Sequence, residues 1–210
     1  MKRMKVLFSS MRNKSIFIRI MYIIIGSIIS GLGIAMMSKG TLGVDTLSVF
    51  MIGIAKLFDL PFSYANAIIN LTIIIIVFMI NRKIIGIGSL INACIIAYTI
   101  HMSSDVIESI IIGNETLNYI VILIGPICIG VGAAIYVNQN LGASALESLT
   151  LCLCGIFNKL SMKTARIILD STFALLGFMI GGPIGLGTLT CIALVGPTVS
   201  KVSRLLKEDK

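Results

Sequence analysis

Ionisable side chains set in apolar sequence are the first places to look for chemistry, because a low-dielectric surrounding makes a charge expensive to keep. Arg166 and Asp170 stand four residues apart in an apolar run, so on a helix they share one face. An arginine so placed could meet an anionic group, and a carboxylate beside it could carry a coupling proton or cation. Asn66 and Asn70 occupy the matching positions 100 residues earlier, and Glu147 lies on a neighbouring short segment. These five residues are the candidate solute-binding set. The alternative is plain structure: Arg166 is near enough to the end of its segment to snorkel to an interface and pair with Asp170.

A second pattern concerns the backbone. Leu42-Gly43 and Leu141-Gly142 each open a short apolar segment, residues 43–57 and 143–157. Glycine permits a sharp turn there and leaves a helix N-terminus whose free N–H groups favour negative charge. Asp45 and Ser144, at matching positions, are expected to cap those ends. The ends are then either capped and inert, or aimed at a substrate from opposite sides. Lys39 and Lys56 read as interfacial anchors, and His101, near the end of a span, as a satisfied polar residue. The sequence has no P-loop, no zincin helix, no Gly-x-Ser-x-Gly and no cluster of metal ligands. No catalytic residue, metal or cofactor is expected, and an enzyme is not.

The elements that must position these groups are written twice. Gly26, Gly31, Gly33, Ala35, Leu42, Gly43 and Leu47 recur as Gly125, Gly130, Gly132, Ala134, Leu141, Gly142 and Leu146, at a spacing of 99. IGIGSL (Ile85 to Leu90) is answered by IGLGTL (Ile184 to Leu189) at the same spacing. LPFSYANAIIN (Leu60 to Asn70) aligns with LSMKTARIILD (Leu160 to Asp170) at a spacing of 100. A duplication of this length in an apolar chain points to two helical bundles with a site between them.

Composition sets the solvent. Hydrophobic residues make up 57% of the chain and charged residues only 12%, against about 25% charged in soluble domains. Mean hydropathy is +1.04. Uncharged runs at Ile20 to Ser38, Leu60 to Asn81, Ile84 to Ser104, Thr116 to Leu146 and Ser171 to Ser200 reach the roughly 20 residues a helix needs to cross a bilayer. Nothing alternates as a membrane barrel strand would. The five cysteines (Cys94, Cys128, Cys152, Cys154, Cys191) lie inside apolar runs, and serve as small packing residues rather than a disulfide framework or a soft-metal site.

The net charge of +8 does not imply nucleic acid, because of where it sits. Lys2, Arg3, Lys5, Arg12, Lys14 and Arg19 precede the first apolar run, while Lys201, Arg204, Lys207 and Lys210 follow the last. This flanking pattern places both termini in the cytoplasm. The first segment lacks a cleavage site and reads as a retained helix.

Each half holds four apolar segments, of which the second is short: ten uncharged residues separate Asp45 from Lys56, and eleven separate Glu147 from Lys159. At about 1.5 Å per residue they cover about half of a 30 Å core. If they cross, there are four spans per half in parallel repeat. If they re-enter, there are three, and the odd number inverts the second half. Re-entry leaves only Lys39 and Lys56 as basic residues outside, and it puts the acidic loop Asp105 to Asn118 outside as well. The inverted arrangement is preferred.

SKGTLGVDTLSVF (Ser38 to Phe50), QNLGASALESL (Gln139 to Leu149) and GGPIGLGTLTCIALVGP (Gly181 to Pro197) resemble the YczE/YyaS/YitT group of small bacterial integral membrane proteins. The resemblance runs from Arg19 to about Arg204 and is strongest in the second half, Arg166 included. Two places depart from it. Thr46, Leu47 and Ser48 stand where the group tends to have Pro-Trp-Asp, and Ala145, Leu146 and Glu147 where it tends to have Pro-Arg-Asp. The resemblance implies a fold and a bacterial cell-membrane location, and no agreed activity.

The expectation is therefore an all-α polytopic membrane protein of six spans and two re-entrant half-helices. A basic segment, residues 1–18, precedes a single transmembrane domain, 19–204, with repeats at 19–104 and 118–204 and a tail at 205–210. Its surroundings are the lipid bilayer of the bacterial plasma membrane. Two functions stay open: a secondary transporter or permease for a small solute, and a non-transporting membrane partner or scaffold that supports another complex.

Overall fold

The computed structural model describes residues 15–39, 42–111, 114–157 and 160–208. Most of the basic N-terminal segment, Lys159 and the last two residues of the tail lie outside them. The described residues form eight α-helices and no strand. They are α1 (Ile16–Lys39), α2 (Thr46–Leu57), α3 (Phe62–Ile80), α4 (Ile87–Ile111), α5 (Glu115–Val137), α6 (Ala145–Ile156), α7 (Met162–Met179) and α8 (Leu186–Glu208).

Helices α1 and α5 cross at the centre, and small residues let them approach backbone to backbone. A methyl group added to Gly26 would stand 2.7 Å from the Gly132 carbonyl oxygen, and one on Gly33 would stand 2.6 Å from that of Gly125. Since 26 pairs with 132 and 33 with 125, the two helices are antiparallel. Ser30 between them donates to the Ile129 carbonyl at 3.3 Å. Each then takes one further partner. Gly31 of α1 receives Thr99 of α4, and Gly130 of α5 receives Thr198 of α8.

These outer partners run parallel to the helix they flank. Ser27 at the middle of α1 meets Asn92 in the first half of α4, and Lys39 pairs with Glu108 near their ends. Thr190 donates to Ile122 near the start of α8 and α5, and Asn138 donates to Ser203 past the end of α5.

The Leu-Gly turns find their partners in the other half of the chain. Gly43 and Gly142 both have φ of +124°, a conformation in which a side chain is strained. The Leu42 carbonyl accepts from the Gly187 amide at 2.9 Å, and the Leu141 carbonyl accepts from the Gly88 amide at 2.7 Å. The first turn thus docks on the start of α8, and the second on the start of α4. IGIGSL and IGLGTL are the receptors for these turns, which explains why glycine stands at Gly86, Gly88, Gly185 and Gly187: a methyl on any of them would press on the docked backbone.

Short helices α2 and α6 follow the turns, at 12 residues, or about 18 Å, each. Helix α2 lies on α7, with Phe50 and Phe173 ring centroids 5.5 Å apart, and α6 lies on α3. Buried apolar side chains, among them Ile23, Met37, Met51, Ile73, Tyr136, Leu146 and Val195, make one core through the middle of the bundle. Ile68, Leu71, Ile75 and Met79 of α3, and Leu175 and Phe178 of α7, point outward. That is the pattern of a helix whose solvent is lipid.

Four helices are long and apolar enough to cross a membrane: α1, α4, α5 and residues Leu186–Leu206 of α8. This is fewer than the six full spans expected. Helix α7 carries Lys163, Arg166 and Asp170 within its 18 residues, and its apolarity falls accordingly. Helix α3 is apolar, and its 19 residues rise about 28 Å. Pro197 lies inside α8, and residues 181–185 make the tight link from α7, with Gly181 at φ +86°.

Candidate functional site

Three buried charges from two helices meet at the centre of the second half. Arg166, 6% exposed, donates from Nε to Asp170 Oδ2 at 3.0 Å and from a terminal nitrogen to Glu147. Asp170 is 1% exposed and Glu147 7%. The other Asp170 oxygen accepts from the Thr46 hydroxyl at 2.6 Å. This last bond ties the first helical turn of α2 to the middle of α7. The Tyr136 side chain on α5 lies close to Glu147 and Ser144.

The expected pairing of Arg166 with Asp170 is present, but its surroundings differ from both alternatives read in the sequence. The side chain does not snorkel to the surface. Nor is it left free for an anion, because two carboxylates already hold it, each through one charge-assisted hydrogen bond. The cap expectation divides. Asp45 caps α2, accepting from the Ser48 amide at 3.1 Å and from the Ser48 hydroxyl at 2.6 Å. Ser144 makes no side-chain cap bond to α6. Its hydroxyl faces Tyr136 instead, and Glu147, which a capping box would turn back toward the helix start, reaches to Arg166.

Asn66 and Asn70 bond to each other, with Asn70 Nδ2 also donating to the Asn66 carbonyl at 3.0 Å. They are not in contact with the charged group. A cavity of about 730 Å³ separates them from it, and all five candidate residues line its wall. Asp45, Thr46, Ser144, Tyr136 and Asn92 join them there. Leu42, Gly43, Leu141 and Gly142 are not in the wall; they hold the elements that are. The cavity extends to exposed His101, Asp105 and Phe62 at the end of the bundle where Lys39 pairs with Glu108. Lys56 lies apart and donates to the Gly181 carbonyl at 3.0 Å.

Thr46, Tyr136 and Asn92 are the members that sequence reasoning missed. Thr46 follows the capping aspartate, where a threonine reads as part of the helix start. Only the alignment of α2 against α7 discloses its acceptor.

The cavity is bounded differently in the two halves. Helix α7 packs along α8, with Gly196 seated against the Lys163 carbonyl and the Arg166 and Ile167 side chains. At the matching place in the first half, Asn66 of α3 and Ala97 of α4 both face the cavity. All five cysteines are free thiols, with Cys191 in the cavity wall. No group of three or more metal-binding side chains occurs among the described residues.

Apolar helices enclosing a buried polar group and a large cavity define a helical membrane protein. More narrowly, the chain belongs to DUF6198, a family of unknown function whose model matches residues 17–204. It is similar to the uncharacterized protein YyaS of Bacillus subtilis (strain 168), with 29% identity over 180 residues, 84% of this chain and 88% of that protein. An uncharacterized protein of Haemophilus influenzae is 27% identical over 171 residues, covering 81% of this chain and 77% of the other. The uncharacterized membrane protein YczE of Bacillus subtilis is 26% identical over 172 residues, covering 81% and 79%. No solved structure matches the chain significantly.

Proposed function

We propose that this protein is a multi-pass transport protein of the bacterial cell membrane that moves a small solute through the central cavity. The cavity volume of about 730 Å³ falls in the range of small-molecule sites. Its floor is an ionised group that lipid would not tolerate and that membrane proteins keep for solute or ion pathways. No chemical transformation is assigned to it.

In this reading the two halves are inverted repeats, each with three crossings and a re-entrant helix, and both termini are cytoplasmic. The antiparallel α1 and α5 support it, as do the turns that each half docks into the other. In the same reading α3 makes the single return crossing between the parallel α1 and α4, and the short α2 re-enters without crossing. The mouth near Lys39 and Asp105 is then external.

The observation that carries the transport function is the unequal closure. At matching positions, α7 is shut against α8 while α3 stands off α4. Inverted repeats exchange such a difference: α3 closes on α4 from outside while α7 leaves α8 on the inside. Lipid-reconstituted protein tests this, with uptake of a mixed panel of small organic solutes followed by mass spectrometry. Accumulation of at least one solute by the wild type, lost in Asp170→Asn, supports the reading. Equal contents in protein-containing and protein-free vesicles across the panel overturn it, in favour of a non-transporting membrane partner.

A further inference from the structure

We propose that the solute is a small organic cation, an ammonium group attached to an apolar body; this rests on the transport reading of the same cavity. The ionisable groups of the wall are Asp45, Asp105, Glu147 and Asp170 against Lys39 and Arg166, with His101 beside them. Both basic groups are already engaged, Lys39 by Glu108 and Arg166 by Glu147 and Asp170. One arginine among three carboxylates at the inner end leaves that end negative, and a low-dielectric wall concentrates its field on whatever enters. An anionic solute would meet repulsion there and would find no free cation.

Two residues of the wall offer acceptors to a positive group. Asp45 is half-buried and pairs with no cation among the described residues; each of its oxygens holds one bond, from Ser48, and has capacity for another. Asn92 is 1% exposed and gives its amide nitrogen to Ser27 at 2.8 Å, while its carbonyl oxygen accepts from no described residue. Both face the cavity and both ask for an N–H donor. Ile34, Met51, Ile74, Ile96 and Ile100 give the wall an apolar stretch, which suits an apolar body rather than a hydrated metal ion.

The probes are three phenyl compounds with short side chains: phenethylammonium, 3-phenylpropionate and 2-phenylethanol, with trimethylated phenethylammonium added to remove the N–H donors. Binding to the full-length protein in lipid nanodiscs is measured by displacement and by shift of Tm. The ammonium should bind at least tenfold more tightly than the carboxylate, with the alcohol between. Asp45→Asn, which keeps a cap-forming side chain, should weaken the ammonium tenfold or more at unchanged Tm of the unliganded protein. Asn92→Leu should weaken phenethylammonium and leave its trimethylated form unaffected.

A carboxylate bound as tightly as the ammonium overturns the proposal, as does an Asp45→Asn variant with unaltered affinity, or no binding of either cation. If the surplus charge serves coupling protons alone, uptake of the alcohol will be driven by a pH gradient while neither cation binds, which also overturns it. Binding of the cation without uptake contradicts transport and leaves the cation site standing. Uptake of the carboxylate does the reverse.

Discussion

The starts of the two short helices carry the same two functional groups in exchanged places. In α2 the acid is at the cap, Asp45, and the hydroxyl three residues on, Ser48; in α6 the hydroxyl is at the cap, Ser144, and the acid three residues on, Glu147. In α2 the two close on each other and complete a cap. In α6 they part, Glu147 reaching to Arg166 and Ser144 facing Tyr136. The facing helices differ in the same sense: α7 has Arg166 and Asp170 where α3 has Asn66 and Asn70. The buried ions are gathered on α6 and α7, while α3 presents neutral amides across the cavity.

Breaking this difference at its centre should have the largest effect. Arg166→Met leaves Glu147 and Asp170 buried together without a countercharge, a change that costs about 3–5 kcal/mol. Thermal unfolding in detergent should show it. Adding Glu147→Gln and Asp170→Asn to Arg166→Met should restore most of the stability while solute uptake stays lost. A structural ion pair would let uptake return with stability.

Thr46→Val comes next. It removes the hydroxyl that bridges α2 to Asp170, and a bond to a charged acceptor contributes about 1.5–3 kcal/mol. Gly43→Ala and Gly142→Ala should each cost about 1–3 kcal/mol, because the backbone at φ +124° disfavours a side chain. Here the halves should behave alike, since both turns are docked in the same way. The smallest difference is at the caps: Asp45→Ala should cost about 1 kcal/mol, whereas Ser144→Ala removes no cap bond and should unfold close to the wild type.

Much of the site can be read from the chain. Arg166, Asp170, Asn66, Asn70 and Glu147 all reach one cavity because spacings of four and of 99 or 100 are geometric statements about helices. The Leu-Gly turns and the Gly-x-Gly helix starts are legible as motifs too. That each turn docks on the other half's helix start is not, because those bonds join Leu42 to Gly187 and Leu141 to Gly88 through backbone atoms that carry no sequence identity. The pairing of Arg166 with two carboxylates was hidden for a related reason. The i,i+4 partner is visible in the sequence, but Glu147 depends on how α6 lies against α7. Ser144 reads as a cap from its type alone, yet its side chain makes no cap bond and lies near Tyr136. Nor could pattern alone disclose that α3 stands off α4 while α7 closes on α8, since the paired helices carry matching patterns.

The transport reading proposed above requires two halves that face opposite sides of the membrane. The most direct test is the sidedness of two single cysteines, at Asn114 before α5 and at Ser161 before α7, in a background without the five native ones. Intact cells are treated with a membrane-impermeant thiol reagent, before and after permeabilisation. The expected result is labelling of Asn114→Cys from outside and of Ser161→Cys only after permeabilisation. Protection of both in intact cells would mean parallel halves in which the short helices cross, and would contradict a site shared between inverted repeats.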